Sequence, residues 1–182
     1  ALDEYGKVHV WGHELYGGSL PDTLNYNNNP QPPIIKNIYS TGSAFAALDK
    51  DGKVHVWGYD YNGGSLPTTL NHNNNPPPPK ITNISSTYSA FAALDEDGKV
   101  YSWGDEGRGG SLPLNHTLNH NNNPPPPKIK NIYSTNTAFA ALDEYGKVHV
   151  WGDDYNGGIL PTDHTLDHNK DKLPKITNIS ST

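Results

Sequence analysis

The stretch that decides the fold reads Ala-Leu-Asp-Glu-Asp-Gly-Lys-Val-Tyr-Ser-Trp-Gly and occupies residues 93–104. Two short apolar runs flank an Asp-Gly pair, which is a strong local signal for a β-hairpin with a tight turn. Glycine is expected there because the turn requires a positive φ, which glycine adopts without steric cost. Gly98 holds this position here, and Gly52 holds it one copy earlier. The stretch therefore predicts a hairpin closed by glycine.

Near-copies of this stretch recur through the chain at spacings of 46, 46 and 48 residues. They begin at Ala1, Ala47, Ala93 and Ala141. A repeat of this length is typical of a supersecondary unit that cannot bury its apolar face alone and stacks on its neighbours. The predicted units of one repeat domain are residues 1–46, 47–92, 93–140 and 141–182.

A third strand candidate precedes the hairpin and covers residues 80–86. It recurs from Ile35, Ile129 and Ile176. Within the hairpin, the valines of residues 53–57 alternate with other side chains, a period of two that indicates a strand. Three or four short antiparallel strands per unit, repeated without helices, predict an all-β, β-propeller-like array.

Two aromatic series mark the expected packing. One tryptophan per unit offers a large apolar area for packing one sheet on the next. This series is Trp11, Trp57, Trp103 and Trp151. A phenylalanine among small residues suits a crowded site where sheets converge, and this series is Phe45, Phe91 and Phe139.

A long connection of glycine, asparagine and proline joins each hairpin to the next strand. Four consecutive prolines occur at residues 76–79 and again at 124–127. Because proline fixes φ and has no amide hydrogen, each run predicts a stiff polyproline II rod on the outside of a blade. A rigid spacer is the favoured interpretation. The alternatives are a ligand for aromatic grooves and a substrate for hydroxylation or O-glycosylation.

The composition excludes several classes of protein. Lys+Arg 13 against Asp+Glu 19 gives a net charge of -6, and the absence of any basic run argues against nucleic acid as a partner. No stretch approaches the roughly 18 apolar residues of a membrane span. Cys 0 excludes disulfides and thiolate metal sites. The chain also has no Met and no copy of the five residues that precede its internal Ala-Leu-Asp motifs, so we expect an excerpt of a longer array.

Residues 93–104 resemble the repeat of the regulator of chromosome condensation family, in which Ala-Leu, an Asp-Gly turn and a strand ending in Trp-Gly follow one another. The resemblance covers about half of each unit and implies a β-propeller of four-stranded blades. Members of the family generally close with about seven blades. Four units are therefore part of a ring, a smaller ring or an open superhelical array. The Gly-Gly-Ser-Leu-Pro at residues 63–67 and the proline-rich insert depart from the family pattern, which argues against the exchange-factor activity of its founding member.

Candidate ligands for metals are sparse. His9, His55 and His149 share one repeat position, and equivalent positions in separate blades lie too far apart for shared ligation at about 2 Å. We interpret them as exposed or inter-blade strand residues. The Asp-rich turns resemble the start of a calcium loop but lack its later ligands. The acidic loop of residues 153–171 could hold a divalent cation, and a solvated loop is the favoured interpretation; no metal or cofactor is predicted.

Three sequons for N-glycosylation are present, at Asn83, Asn115 and Asn178. The chain is so rich in Asn, Ser and Thr that chance accounts for three, and secretion does not follow from them. The three asparagines remain candidate glycosylation sites.

No nucleophile elbow, phosphate-binding loop or zinc-protease motif occurs, so no enzyme is predicted. The leading hypothesis is a structural or adhesive repeat module of a larger assembly, with further copies of the repeat or neighbouring chains as partners. An extracellular or cell-surface location is favoured. The second hypothesis is a closed propeller that binds a protein partner through its face or loops. A third is a lectin-like module that binds glycans.

Overall fold

The computed structural model describes residues 1–27, 31–113, 116–119, 122, 124–160 and 175–181. In this part of the chain, nine strands form three antiparallel sheets, each with its strands in chain order. Sheet 1 contains β1 (Ile35–Ser40), β2 (Ala44–Asp49) and β3 (Val54–Gly58). Sheet 2 contains β4 (Ile81–Ser86), β5 (Ala90–Asp95) and β6 (Val100–Gly104). Sheet 3 contains β7 (Ile129–Ser134), β8 (Ala138–Asp143) and β9 (Val148–Gly152). The prediction of an all-β array of short antiparallel strands is confirmed.

A hairpin turn that ends in glycine joins the second and third strands of each sheet; it is Asp-Gly in sheets 1 and 2 and Tyr145-Gly146 in sheet 3. In sheet 2, Leu94 lies opposite Val100. The turn glycine Gly98 has a φ of +82°, and its counterpart Gly52 has a φ of +83°. The unit boundaries at residues 47, 93 and 141 fall inside the middle strands, so each sheet combines the end of one unit with the start of the next.

The first strands of successive sheets lie side by side. The Ser86 hydroxyl donates a hydrogen bond to the carbonyl oxygen of Ser40 at 2.8 Å, across sheets 1 and 2. The turns that follow these strands also meet: the amide of Gly42 donates to the carbonyl oxygen of Tyr88, and the amide of Tyr88 donates to that of Asn136, both at 2.8 Å. Sheets whose first strands lie side by side are arranged radially, as in the blades of a propeller.

An apolar core fills the space between neighbouring sheets. Between sheets 1 and 2, Val54 packs with Ile81, Phe91 and Trp103, all of them buried. Leu70 inserts into this cluster from the 3-10 turn that follows sheet 1 and is 2% exposed. Leu24 and Leu118 are buried in the same way beside sheet 1 and between sheets 2 and 3. Each sheet is therefore covered by a leucine from the connection as well as by its neighbour.

The sheets have three strands among the described residues, whereas the family resemblance implies four. Where the structure describes the connection after a third strand, it forms 3-10 turns and no fourth strand. These turns are Glu14–Tyr16, Asp22–Leu24, Asp60–Asn62, Thr68–Leu70, Glu106–Arg108 and Asp154–Asn156. Prolines follow them, and a residue without an amide hydrogen cannot donate to a strand ladder. The polyproline rod remains a prediction, and residues 76–79 are exposed or half-buried.

Candidate functional site

One hydrogen bond recurs at each contact between a sheet and the unit before it. The indole nitrogen of Trp103 donates to the carbonyl oxygen of Gly63 at 3.1 Å, 40 residues earlier. The equivalent pairs, both at 3.1 Å, are Trp57 with Gly17 and Trp151 with Gly109. Trp103 is 4% exposed and stacks on Phe91 of its own sheet, with 5.2 Å between ring centroids. We call this arrangement of tryptophan, phenylalanine and upstream glycine the Trp-Gly joint.

The glycine of the joint is required for two reasons. Gly63 ends the turn Asp60–Asn62 with a φ of +99°, in the left-handed region that disfavours other residues. A Cβ atom at Gly63 would also lie 2.6 Å from the Phe91 ring. The sequence pattern includes this Gly-Gly pair, but only the structure identifies its carbonyl as the acceptor for the next sheet.

The predicted turn glycines also take part in contacts between sheets. The carbonyl oxygen of Gly52 accepts a hydrogen bond from the amide of Ile81 at 2.8 Å, and that of Gly98 accepts from Ile129 at 2.9 Å. Each Asp-Gly turn therefore holds the first strand of the following sheet. The sequence indicated glycine at these positions because of the positive φ; the hydrogen bond to the next sheet is a second role.

The first tryptophan differs from the other three. Trp11 is 75% exposed, whereas Trp57 is 5% exposed. The reason is geometric: the glycine of a joint comes from the preceding unit, and none of the described residues covers that side of Trp11. Phe91 and Phe139 are buried, while Phe45 is half-buried and stacks on Trp57 with 5.3 Å between centroids.

A buried aspartate fixes each hairpin. One carboxylate oxygen of Asp49 accepts hydrogen bonds from the amides of Asp51 and Lys53, both at 2.9 Å. The other oxygen lies 3.0 Å from Nε2 of His55. In sheet 2 the hydroxyl of Tyr101 takes the place of the imidazole and donates to Asp95 at 3.0 Å. Each aspartate thus holds the turn with one carboxylate oxygen and bonds to a side chain of the third strand with the other.

Of the two interpretations of the repeated histidines, exposed or inter-blade strand residues, exposure does not hold at two of the three positions. His55 and His149 are 4% and 6% exposed, and His149 lies 2.9 Å from Asp143. Both faces of the sheet are covered at this depth, so a polar strand residue is buried and paired. The His9 side chain is 50% exposed and lies 2.9 Å from Asp3. An aspartate six residues before each histidine is the sequence signal that could have revealed these pairs.

The hydrogen bonds decide the ionisation of these aspartates. Burial by itself would raise the pKa of Asp49, but the bonds from His55 and from the Lys53 amide hold that pKa below its ordinary value. The pKa of Asp143 is lowered for the same reasons, against the effect of burial. Burial, together with the Asp95 carboxylate, raises the pKa of Tyr101, so its hydroxyl stays protonated and donates. These groups stabilise the fold.

Two histidines of the connections also pack on the sheets. Nε2 of His72 lies 2.7 Å from the Val54 carbonyl oxygen, and its ring meets His55 edge to face with 4.7 Å between centroids. Burial, and secondarily the neighbouring His55, lowers the pKa of His72. His116 bonds the Val150 carbonyl oxygen at 2.9 Å, and burial lowers its pKa as well. Both rings are therefore held neutral at the outer strands.

One end of the sheets carries a set of exposed tyrosines, and we call it the turn face. It is formed by the turn after each first strand and the 3-10 turn after each third strand, which are tied together by bonds such as that from Thr41 Oγ1 to the Asn62 carbonyl oxygen at 3.1 Å. Its exposed tyrosines are Tyr16, Tyr59, Tyr61, Tyr88 and Tyr155, at 55%, 46%, 64%, 59% and 97%.

The aromatic rings of the turn face lie near one another and near a cation. Tyr16 and Tyr59 meet edge to face, with 6.3 Å between centroids. The guanidinium of Arg108 lies 5.9 Å from the Tyr88 ring centroid. Beside it, an open depression of about 600 Å³ is lined by Tyr88, Arg108 and polar residues that include Asn136 and Asn156. The turn face thus offers aromatic, cationic and amide groups together.

Other candidate positions are dispersed. Among the described residues, no group of three or more His, Asp or Glu side chains could hold a metal ion. No helix in that part of the chain is long and apolar enough to cross a membrane. Asn83 accepts a hydrogen bond from Tyr39 and Asn178 accepts one from Tyr133, both at 3.3 Å on exposed first-strand positions. Asn115 and the acidic residues beyond 160 lie outside the described residues.

No curated protein matches the chain in sequence. Similar solved structures include human WBSCR16, with 20% identity over 79% of this chain and 38% of that chain and a TM-score of 0.48. Prp20p from Saccharomyces cerevisiae has 22% identity over 70% of this chain and 35% of its own, with a TM-score of 0.48. The ectodomain of the Arabidopsis thaliana receptor kinase ACR4 has 17% identity over 67% and 38%, with a TM-score of 0.45. The chain spans less than two fifths of each.

A family model described as Regulator of chromosome condensation (RCC1) repeat matches residues 81–109. These residues contain all of sheet 2 and end on Gly109, the glycine of the next Trp-Gly joint. The same sequence pattern and the same joint recur in the neighbouring units. This part of the chain is therefore similar to the regulator of chromosome condensation repeat.

Proposed function

We propose that the chain is a non-enzymatic protein-interaction module that serves as a building block of a larger assembly and binds a protein partner through its turn face. The observation that carries this proposal is the set of five exposed tyrosines, with Arg108 among them, at one end of the sheets. Protein interfaces are enriched in tyrosine and arginine relative to the rest of a protein surface. The two residue types also supply most binding hot spots.

The turn face is held rigid before binding, which favours recognition of a partner. Thr87 Oγ1 bonds the Arg108 carbonyl oxygen at 3.1 Å, so the two turns that carry Tyr88 and Arg108 are held together before any partner arrives. A tyrosine has only two side-chain torsions to immobilise, which lowers the entropy lost on binding. The net charge of -6 favours a partner with a basic surface, since charge complementarity speeds and directs association.

Prp20p is described together with its binding to Gsp1p and histones. We extend to this chain only the general class, which is protein binding. The extracellular, adhesive and glycan-binding roles remain predictions, and no feature of the turn face favours a sugar over a protein.

Site-specific photo-crosslinking tests the proposal. A photoreactive phenylalanine replaces Tyr61 on the turn face in one preparation and Tyr145, which is 60% exposed, at the opposite end in another. Both preparations are irradiated in an extract of the natural source, and the crosslinked proteins are identified by mass spectrometry. We expect one protein to be captured from Tyr61 and not from Tyr145. The purified partner is then titrated against the unmodified chain and its variants.

The variant Tyr59→Ser/Tyr61→Ser/Tyr88→Ser should weaken binding of that partner by about 30-fold, the loss of roughly 2 kcal/mol typical of a hot spot. The control, Tyr5→Ser/Tyr145→Ser, removes two exposed tyrosines from the Tyr-Gly hairpin turns at the opposite end of the sheets and should leave binding unchanged. Equal losses in the two variants, or a partner captured only from Tyr145, would refute the turn face as the binding surface.

A further inference from the structure

A depression at the hairpin-turn end of the sheets is lined by lysines, although the chain as a whole is acidic. It lies between sheets 1 and 2, at the opposite end from the turn face, and has a volume of about 580 Å³. Four of the chain's 13 Lys and Arg residues line it, and we call it the lysine groove. These residues are Lys36, Lys50, Lys53 and Lys80. We propose that the lysine groove binds an acidic peptide segment of a protein partner.

Backbone hydrogen bonds hold the walls of the lysine groove together. The amide of Ile81 donates to the carbonyl oxygen of Gly52, in the hairpin turn of sheet 1, at 2.8 Å. The amide of Glu96, in the hairpin turn of sheet 2, donates to the carbonyl oxygen of Lys80 at 3.0 Å. All the lining residues fall between 36 and 96, in the interior of the array. The groove is therefore formed before a ligand binds, which reduces the entropy lost on binding.

The lysine groove carries a positive charge. Its four lysines are exposed, and the carboxylates among its lining residues are those of Asp51 and Glu96. Four cations against two anions give a local charge of +2, on a chain with a net charge of -6. The Lys36 ammonium is fixed beside the turn, because it donates to the Lys50 carbonyl oxygen at 3.1 Å. A concave surface lined by one sign of charge concentrates ligands of the opposite sign.

Lys50 is the residue that makes this groove different from its neighbour. The other three units have a glutamate at its position, and these are Glu4, Glu96 and Glu144. With glutamate in place of Lys50, the groove would be neutral. The equivalent positions between sheets 2 and 3 are neutral, with three lysines and three carboxylates: Lys99, Lys128, Lys130, Glu96, Asp97 and Glu144. One substitution in one repeat thus creates the positive charge.

The acceptor groups of the lysine groove favour a peptide over a phosphate polymer. Asp51, Glu96 and the carbonyl groups of the prolines at 77–79 line the groove together with the lysines. An acidic peptide offers amide donors to these acceptors and carboxylates to the lysines. A polyphosphate offers acceptors and negative charge alone, so the two carboxylates would repel it. Lysine contacts a carboxylate as a point charge with rotatable donors, so an acidic segment can bind in several orientations.

Fluorescence anisotropy of a fluorescein-labelled hexaglutamate peptide tests the proposal. The peptide is titrated with the unmodified chain at about 50 mM ionic strength, where the screening of charges is weak. We expect saturable binding that weakens at about 300 mM, because the lysines of the groove are exposed to solvent. The matching hexaglutamine peptide has the same length without the charge, and it should not bind.

Two variants change the charge of the groove in opposite directions. Lys50→Glu introduces the residue of the other three units and should weaken the binding of hexaglutamate about tenfold, because an attraction becomes a repulsion. Glu96→Lys removes a carboxylate from the groove and should strengthen binding by a similar factor. The matched control is Lys147→Glu, which makes the first change of charge on an exposed residue in the hairpin turn of sheet 3. It should alter the affinity by less than about twofold.

Equal losses of affinity in Lys50→Glu and Lys147→Glu would show an effect of net charge alone and would overturn the inference. Binding of hexaglutamine would also overturn it, as would tighter binding of a linear hexaphosphate than of hexaglutamate. This inference goes beyond the proposed function, because it concerns the other end of the sheets. The turn-face variant Tyr61→Ser should therefore leave the affinity for hexaglutamate unchanged.

Discussion

The indole nitrogen of Trp103 and the carbonyl oxygen of Gly63 are joined by a 3.1 Å hydrogen bond across the boundary between two units. The bond gives the buried indole N–H of Trp103 an acceptor, and it gives the Gly63 carbonyl at the end of a 3-10 turn a donor. Because the same bond occurs with Trp57 and Trp151, the chain contains its own internal replicates for mutational tests.

Trp103→Phe should destabilise the protein by about 2–4 kcal/mol. The substitution leaves the Gly63 carbonyl without its donor, at about 1–3 kcal/mol, and removes buried volume. The measurement is the free energy of unfolding in urea. Trp11→Phe is the matched control, because an exposed side chain outside a joint should change that free energy by less than about 0.5 kcal/mol. Similar changes in the two variants would contradict a structural role for the joint.

Gly63→Ala should cost more than Gly157→Ala. Both glycines have a φ near +100°, so both substitutions carry about 1–2 kcal/mol of backbone strain. Only at Gly63 does the new Cβ meet an aromatic ring, at 2.6 Å, which adds about 1–3 kcal/mol of overpacking. The melting temperatures of the two variants measure the difference. Equal melting temperatures would show that the close approach to Phe91 is relieved without cost.

Asp49→Asn should destabilise the protein by about 2–3 kcal/mol at pH 7, because a charge-assisted hydrogen-bond acceptor is lost in a buried site. The folded-state pKa of Asp49 is lowered, so its contribution to stability is present above the ordinary value of 3.8 and is lost as the pH falls through the folded-state pKa. The variant should therefore show a shallower loss of stability in acid than the unmodified chain. Asp51→Asn, at an exposed position of the same turn, is the control and should retain the steeper acid profile.

Stability should also fall as the pH drops below about 6.5. The pKa of His72 is lowered in the folded state, so its stabilising contribution is complete above the ordinary value of 6.5 and declines as the pH falls toward the folded-state pKa. Besides His55, two charged residues act on this ring: Lys53 lowers the pKa of His72, and Asp49 raises it.

His72→Tyr removes this titration and introduces the residue that the first unit has there, Tyr26. The unfolding free energy of the variant, measured from pH 7.5 to 5, should depend less on pH than that of the unmodified chain. His13→Tyr replaces an exposed histidine and should preserve the original slope. An unchanged slope in His72→Tyr would rule out His72 as its source.

Local patterns were sufficient to predict the hairpins and the class of fold. The Asp-Gly turn lies within a dozen residues of the strands that it joins, so its chemistry can be seen in a short window of sequence. The burial of the His55 side chain could not be predicted from the same pattern. A period of two separates inside from outside only when one face of a sheet meets water. Here β5 is buried along its whole length, and neighbouring residues of β3 such as Val54 and His55 are both buried.

The candidate binding surface was harder to predict than the fold. Tyr61 is matched by Leu15, Gly107 and Tyr155 in the other units, so an alignment of the repeats shows no common residue at that position. Tyr59, Tyr61 and Tyr88 belong to two different turns that meet only because their sheets are arranged radially. A surface of this kind follows from the placement of the blades and has no local sequence signal.

The Trp-Gly joint also allows the sheets to fold one after another, in chain order, while the protein is being synthesised. Every tryptophan of a joint finds its acceptor about 40 residues earlier, and each first strand bonds to the glycine of a hairpin turn that precedes it. When a tryptophan leaves the ribosome, its acceptor has already been made. Each new sheet can therefore dock on the surface of the one before it without waiting for later residues, and a nascent chain of this kind exposes one unfinished apolar face at a time.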